Sequence, residues 1–268
     1  MNNKLIAGKN EQVRSLLSPG DPGKAGSLDE EWRLMNAALE RLGLAKPLPA
    51  KPLPAKRSGR LIVALDLTSS RAESLRQAQK ATAAMFQAIR AIGSVAVKMI
   101  YYRGLCECRA GAWHDDAGVV SRSMLELSCK AGETQIARML RLVLAEKEKV
   151  SGVVFVGDHC EEDPDELLDL AETLGKRSLP LFIFHEVVDH DEGALEAGPL
   201  FEEMAELSGG VYTEFRPDSG PILRELLSTV AAFSAAGHEG VKQVAQPVTA
   251  EARQLRGSLL MLPAPKSK

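Results

Sequence analysis

The chain is poor in aromatic residues and in cysteine: of its 268 residues, 4% are aromatic and 4 are cysteine. With so few aromatic side chains the core must be mostly aliphatic, and four cysteines in a chain of this length do not make a disulfide scaffold. No apolar run approaches the length of a membrane-spanning helix. The N-terminal stretch also lacks the apolar segment of a secretory signal. We therefore expect a cytoplasmic protein with reduced thiols and no membrane contact.

Three motifs of nucleotide and hydrolase chemistry are missing. The sequence contains no G-x-x-x-x-G-K-[ST] phosphate loop, no G-x-G-x-x-G dinucleotide fingerprint and no G-x-S-x-G nucleophile elbow. A basic surplus is missing as well, because the net charge is -3 and the pI is near 6.0. These absences argue against an ATPase, a dinucleotide enzyme, an α/β-hydrolase and a nucleic-acid-binding protein, and we expect no enzymatic activity.

The sequence does contain an ordinary share of core-forming residues, together with an uneven distribution of charge. Apolar residues make up 45% and charged residues 26%, which is typical of a soluble globular protein. Residues 151–214 carry 17 acidic and only 2 basic side chains. Such an acidic block is either a solvated helical face or a site that attracts cations and basic partners.

A proline-rich stretch divides the chain, since residues 45–57 contain the unit KPLPA twice. Closely spaced prolines fix φ and remove backbone donors, so this stretch cannot join a helix or a central strand. An extended polyproline II spacer is the preferred interpretation, and a docking ligand for an aromatic groove is the alternative. We therefore predict an N-terminal arm at 1–44, a main domain at 58–236 and a C-terminal tail at 237–268.

The N-terminal arm contains one predicted amphipathic helix. Its start is marked by Ser27 and Glu30, which have the spacing of a capping box. Large apolar side chains then recur at steps of three and four, among them Trp32, Met35 and Leu39. A stripe of this kind must be buried, either against the chain's own domain or against a partner or second copy. We predict these three side chains as partner-binding residues.

After the proline-rich stretch, predicted strands and helices alternate. Several of the strands are continuous β-branched and aliphatic runs, which are typical of strands buried on both faces. The pattern predicts an α/β fold with a doubly wound, mostly parallel Rossmann-like sheet, helices on both faces and one antiparallel edge strand. The predicted strands are Leu61–Leu65, Ser94–Tyr102, Leu105–Trp113, Gly152–Gly157, Pro180–His185 and Val211–Phe215; the predicted helices are 71–90, 117–129, 135–149, 164–176, 200–207, 221–236 and, in the tail, 249–262.

Oxygen-bearing side chains follow the predicted strands at the edge where ligands bind in open α/β sheets. Asp66, Thr68 and Ser70 come after the first strand, Asp158 comes after the fourth, and Thr134 precedes the helix at 135–149. Carboxylate and hydroxyl oxygens without a nearby thiolate are ligands that suit Mg²⁺ or Mn²⁺. The sequence therefore predicts a site for a divalent cation, with these five residues as metal ligands.

The three segments D-L-T-S-S, G-E-T-Q-I and V-G-D, in this order, resemble those of the von Willebrand factor A (VWA) domain. That family carries a metal-ion-dependent adhesion site (MIDAS) built from D-x-S-x-S, a distant Thr and a distant Asp. The resemblance covers roughly residues 58–236 and includes the L-S-G-G-V-Y turn into the last strand. Thr68 stands where the family has its first serine, so the hydroxyl is kept and a methyl group is added.

The resemblance implies how the site would work. The hydroxyls bind Mg²⁺ directly, with Mn²⁺ or Ca²⁺ as substitutes, and the aspartates bind directly or through water. One coordination position stays open for an Asp or Glu of a protein partner. By resemblance, the chain is an adaptor or a subunit of a larger assembly, and the first candidate partner is an AAA+ ATPase of the MoxR or metal-chelatase type. His159 and Glu161, which follow Asp158, are predicted to contact the partner.

Two other functions remain open from the sequence. One is a Mg²⁺-dependent phosphohydrolase that uses Asp66 and Asp158, although a dehalogenase-type phosphatase needs a second Asp where Thr68 stands. The other is a scaffold with a relic metal site that assembles through the N-terminal helix.

Overall fold

The computed structural model describes residues 59–72, 75, 95–188, 190–216, 220–244 and 246–262. The predicted arm helix with Trp32, Met35 and Leu39 lies outside the described residues, as do the proline-rich stretch and most of the helix predicted at 71–90.

Six strands form one mixed sheet in the order β3-β2-β1-β4-β5-β6. β3 runs antiparallel to β2 at one edge, while the other neighbouring strands pair in parallel. This confirms the predicted α/β, mostly parallel sheet with one antiparallel edge strand. The strands are β1 Gly59–Asp66, β2 Val95–Arg103, β3 Glu107–His114, β4 Gly152–Gly157, β5 Leu181–Glu186 and β6 Tyr212–Phe215.

Helices cover both faces of the sheet in the part of the chain that the structure describes. They are α1 Ala117–Leu125, α2 Ile136–Leu144, α3 Pro164–Lys176, α4 Glu192–Ser208, α5 Gly220–Gln243 and α6 Ala250–Met261. A 3₁₀ turn, Ser69–Ala72, follows β1. None of the described helices is both long and apolar enough to cross a membrane.

The two faces of β1 enter two separate hydrophobic cores. Leu61, Val63 and Leu65 pack in the core that α1, α5 and α6 cover, whereas Ile62 and Ala64 pack in the core that α2, α3 and α4 cover. Successive side chains of a strand point to opposite faces, so a strand between two helical layers must be apolar at every position. This is why Leu61–Leu65 of β1 form an uninterrupted apolar run, and the strand then ends at the polar Asp66.

Four helices differ from their predicted extent. α1 ends at Leu125 rather than at 129, and α2 ends at Leu144 rather than at 149. α4 begins at Glu192 rather than at 200, because Asp191 caps it by accepting a hydrogen bond from Ala194 N at 3.2 Å. Pro199 lies inside α4, and a proline there weakens the sequence pattern of a helix. α5 continues to Gln243 with a kink at Gly237. The segment after 236, predicted as a tail, adds α6 to the core through Ala252, Leu255 and Leu259.

Candidate metal centre

The carboxyl ends of β1 and β4 bring Asp66 and Asp158 close to each other. The two strands are parallel neighbours, with Leu65 paired to Val156, so the residues that follow them meet at the same edge of the sheet. Both aspartates are buried, with 1% and 5% of their surface exposed. Two neighbouring carboxylates withdrawn from water repel each other unless a cation or hydrogen bonds offset their charge.

Hydrogen bonds hold the Asp66 carboxylate in place. Thr68 N donates to Asp66 Oδ1 at 2.7 Å, which closes a tight turn after β1. The Tyr102 hydroxyl donates to Asp66 Oδ2 at 2.9 Å. Burial and the charge of Asp66 raise the pKa of Tyr102 well above its usual value, so the phenol remains a donor.

Tyr102 was not among the residues predicted for the site. The feature that could have indicated its role is the parallel pairing of β1 with β2, in which Tyr102 lies opposite Asp66. That register becomes visible only once the strands are aligned, because the two residues are 36 positions apart in the sequence.

The hydroxyls of Thr68 and Ser70 lie beside these carboxylates. Their oxygens are 3.1 Å apart, which is possible because the 3₁₀ turn that begins at Ser69 coils the chain back after β1. The Ser70 hydroxyl is also near enough to Asp158 to lower the pKa of that carboxyl. The structure therefore brings four of the five predicted ligands together: Asp66, Thr68, Ser70 and Asp158.

The fifth predicted ligand, Thr134, is buried and tied to the loop that follows Asp158. Its hydroxyl oxygen accepts a hydrogen bond from Glu161 N at 3.0 Å. Its own backbone N donates to Glu161 Oε2 at 2.9 Å. The Glu161 carboxylate, predicted to contact a partner, is thus directed onto the Thr134 backbone.

Burial and opposite charges set the protonation of the two aspartates. Burial, together with the negative charge of Asp158, raises the pKa of Asp66 to about 6. Burial also acts to raise the pKa of Asp158, but contacts with His159 and Ser70 and the charge of Arg71 outweigh it, and the pKa is lowered. Near neutral pH, Asp158 is therefore ionised and Asp66 titrates close to the physiological range.

His159 lies between two carboxylates. Its Nδ1 is 3.1 Å from Asp158 Oδ2, and its Nε2 is 2.9 Å from Asp191 Oδ1. The contact with Asp158 is the main cause that raises the pKa of His159 to about 9, against the opposing effect of partial burial. The imidazole is therefore a cation at neutral pH, and it lies beside the predicted metal ligands.

A buried ion pair lies next to the centre and was missed by the sequence analysis. Arg71 Nη1 pairs with Glu186 Oε2 at the end of β5, and both side chains are almost fully buried. The positive charge of Arg71 contributes to the lowered pKa of Asp158, and it partly offsets the rise in the pKa of Asp66. Arg71 directly follows Ser70 in the sequence. Its partner Glu186 lies at the end of β5, and its closeness to Arg71 becomes visible only from the order of the strands in the sheet.

The donor set fits a hard divalent cation. Asp158 Oδ1 is buried and has no hydrogen-bond partner within the described part of the chain, so one carboxylate oxygen is available beside the hydroxyls of Thr68 and Ser70. Among residues 59–262 as described, no cluster of three or more His, Cys, Asp or Glu side chains is arranged to hold a metal. A cation here would therefore need hydroxyl oxygens as ligands, which suits Mg²⁺.

Comparisons with known proteins identify the fold. No protein-family profile matches the sequence, and no curated protein sequence matches it. Solved structures with this fold include a von Willebrand factor type A protein from Catenulispora acidiphila, with 14% identity, a TM-score of 0.54 and coverage of 67% of this chain and 43% of that chain. The pilus adhesin SpaC from Lactobacillus rhamnosus GG has 10% identity and a TM-score of 0.54, with coverage of 68% and 30%.

A third similar structure is the conserved hypothetical protein BatB from Bacteroides thetaiotaomicron, with 15% identity, a TM-score of 0.50 and coverage of 65% of this chain and 98% of that chain. The chain thus spans nearly all of BatB but less than half of the other two proteins. At such low identities the likeness concerns the fold alone, which is VWA-like and α/β.

Proposed function

We propose that the domain is a Mg²⁺-dependent protein-interaction module. The observation that carries the proposal is the buried Asp158 Oδ1, an acceptor without a hydrogen-bond partner in the described structure, beside the buried Asp66 and the hydroxyls of Thr68 and Ser70. A buried acceptor without a partner costs about 1–3 kcal/mol, and more when it is charged. A bound cation removes that cost and offsets the repulsion between the two aspartates.

The proposed ligands are Asp66, Thr68, Ser70, Thr134 and Asp158, with Mn²⁺ or Ca²⁺ as substitute ions. Few charged ligands leave such a cation electron-poor, so a carboxylate from a protein partner completes its coordination. This contact would be stronger than an exposed ion pair, because most of the proposed ligands are buried and water screens a cation held by them only weakly. His159, protonated and 24% exposed, would add a second positive group for the partner's acidic side chain.

The role that follows is that of an adaptor or a subunit of a larger assembly. The likeness in fold to a pilus adhesin supports a binding role rather than catalysis. An AAA+ ATPase of the MoxR or chelatase type stays the first candidate partner, on the sequence resemblance alone, and the cytoplasm stays the proposed location. Trp32, Met35 and Leu39 would extend the contact from the N-terminal arm.

The phosphohydrolase alternative has less support. A dehalogenase-type phosphatase uses a second aspartate at the position where this chain has Thr68. We expect no Mg²⁺-dependent turnover of phosphate esters. The scaffold alternative depends on the N-terminal arm, which lies outside the described residues.

A Mg²⁺ titration of thermal stability tests the proposal. Metal at about ten times its dissociation constant stabilises a folded protein by roughly 1.4 kcal/mol, which raises the melting temperature of a domain of this size by about 3–6 °C. We expect this rise for the parent and its loss in Asp158→Asn and Thr134→Ala. Asp163→Asn removes an acid of the same loop and should respond like the parent. An equal response of all four proteins would refute the proposal.

A further inference from the structure

Two consecutive glutamates join the loop after β4 to the start of α2. Glu161 and Thr134 exchange two hydrogen bonds, from Thr134 N to Glu161 Oε2 at 2.9 Å and from Glu161 N to the Thr134 hydroxyl at 3.0 Å. Glu162 accepts from Ile136 N and, at 2.9 Å, from Ala137 N. We call these four hydrogen bonds between loops the acidic clamp.

The acidic clamp caps the N-terminus of α2, because the N-cap residue of this helix does not accept from the first backbone N–H groups. The side chain of the N-cap residue Gln135 does not cap the first backbone N–H groups of α2, because its Oε1 accepts from Arg138 Nη1 at 3.2 Å and its Nε2 donates to Gly104 O at 2.9 Å. The first backbone N–H groups of a helix need acceptors, and a negative charge there is favoured by the helix dipole. Glu162 supplies both from a loop that lies about 25 residues away in the sequence.

We propose that Glu161 is a positioning residue of the metal centre, which rests on the proposed function. Thr134 and Asp158 stand on different loops, and Glu161 is three residues past Asp158 and bonded to both the backbone and the hydroxyl of Thr134. The acidic clamp therefore sets where the Thr134 hydroxyl lies relative to Asp158. The carboxylates of Glu161 and Glu162 accept hydrogen bonds from backbone N–H groups and do not bind the cation.

Another way in which these acids could act is by attracting cations through charge alone. Under that mechanism every acid near the site would contribute, including Asp163, whose carboxylate accepts from Asp165 N of its own helix. The effect would also be screened by salt, since exposed charges interact weakly beyond about 10 Å at 0.1 M ionic strength. The two mechanisms therefore differ in which property of the side chain at position 161 controls metal affinity. Under one it is the charge, and under the other it is the length that lets the carboxylate accept from Thr134 N.

Two conservative substitutions at Glu161 separate the mechanisms. Glu161→Asp keeps the charge but shortens the side chain by one methylene, so its carboxylate no longer reaches Thr134 N. Glu161→Gln keeps the length and an acceptor oxygen but removes the charge. We would measure the dissociation constants of Mg²⁺ by calorimetry and of Mn²⁺ by electron paramagnetic resonance, with the full chain at low and high salt. Asp163→Asn is the control for charge.

We expect Glu161→Asp to raise the dissociation constant of the metal about tenfold. Loss of a group that orients a metal ligand typically weakens metal affinity by about 10–100-fold, and tenfold is the lower end of that range. Glu161→Gln and Asp163→Asn should stay within about twofold of the parent at both salt concentrations. The unfolding midpoint in EDTA shows whether a variant is folded, and a merely structural role would change that midpoint but not the dissociation constant of the folded protein.

Three results would overturn the inference. If Glu161→Asp binds metal like the parent, the reach of the side chain does not matter. If Glu161→Gln and Asp163→Asn both weaken binding and salt removes the difference, charge attraction is the mechanism. If the parent binds no metal, or Asp158→Asn binds it as tightly, the proposed function fails together with this inference, whereas the first two results leave the proposed function standing.

Discussion

The substitution Asp66→Asn is predicted to make the metal-free protein more stable while it abolishes the response to metal. Asp66 is 1% exposed and close to Asp158, and both facts disfavour its charged form. Asparagine has the same shape and no charge. Its carbonyl oxygen can accept from Thr68 N, and its amide can donate to the Tyr102 hydroxyl oxygen, so both hydrogen bonds of the aspartate have a counterpart.

The magnitude follows from the pKa of Asp66, which is raised from 3.8 to about 6. A folded-state pKa above the unfolded one means that the folded form binds the proton more tightly. Stability is therefore greatest below pH 4 and falls as the pH rises through about 6. Ionisation of Asp66 costs the folded protein about 3 kcal/mol at pH 7.5, at 1.36 kcal/mol for each pKa unit, and well under 1 kcal/mol at pH 4.

Urea denaturation of parent and variant in EDTA, at pH 4 and at pH 7.5, measures this difference. The variant should be more stable by about 1–3 kcal/mol at pH 7.5 and nearly equal to the parent at pH 4. Carboxyl groups far from Asp66 titrate alike in both proteins and cancel in the comparison. Asp158 does not cancel, because the variant lacks the negative charge that Asp66 places beside it. Added Mg²⁺ should stabilise the parent and leave the variant unchanged. A variant that is less stable than the parent at pH 7.5, or a difference independent of pH, would mean that the buried charge of Asp66 does not destabilise the metal-free protein.

Two further pairs of variants test the packing that supports the site, each by urea denaturation. Arg71→Met breaks the buried ion pair with Glu186 and should cost about 3–5 kcal/mol, whereas Arg141→Met breaks an exposed pair and should cost less than about 1 kcal/mol. Equal losses would contradict the burial of the first pair. Gly210→Ala places a Cβ 2.0 Å from a carbonyl oxygen of β5 and should destabilise the fold, while Gly257→Ala, with open space around it in α6, should stabilise it by about 0.5–1 kcal/mol. Tolerance of the first glycine substitution would show that the L-S-G-G turn is not as tightly packed as the structure has it.

Much of the fold could be predicted from the sequence, because it is encoded in short-range patterns. Apolar runs such as Leu61–Leu65 are readable without knowledge of their neighbours, and their alternation with helices leaves few topologies. The helices with weak patterns were harder to delimit. α4 was predicted too short because Pro199 interrupts its helical pattern, and the packing of α6 on the core was not foreseen.

The five predicted metal ligands could be named from the sequence because parallel strands end at one edge of a sheet. Asp66 and Asp158 had to lie near each other once β1 and β4 were neighbours, and Thr68 and Ser70 follow within the same turn. Their role as ligands remains a prediction. The partner contacts of Trp32, Met35 and Leu39 also remain predictions.

The α/β class and the set of oxygen donors at one edge of the sheet are predictable from the sequence, since both depend on local patterns and on strand direction. Which charges face those donors depends on how distant segments pack together. The Arg71–Glu186 pair, the Tyr102 hydroxyl on Asp66 and the use of Glu161 as a clamp on Thr134 join residues far apart in the chain. Whether a carboxylate meets a cation, a hydroxyl or a backbone N–H depends on ångström-scale loop geometry, and that geometry is set by packing rather than by any short motif.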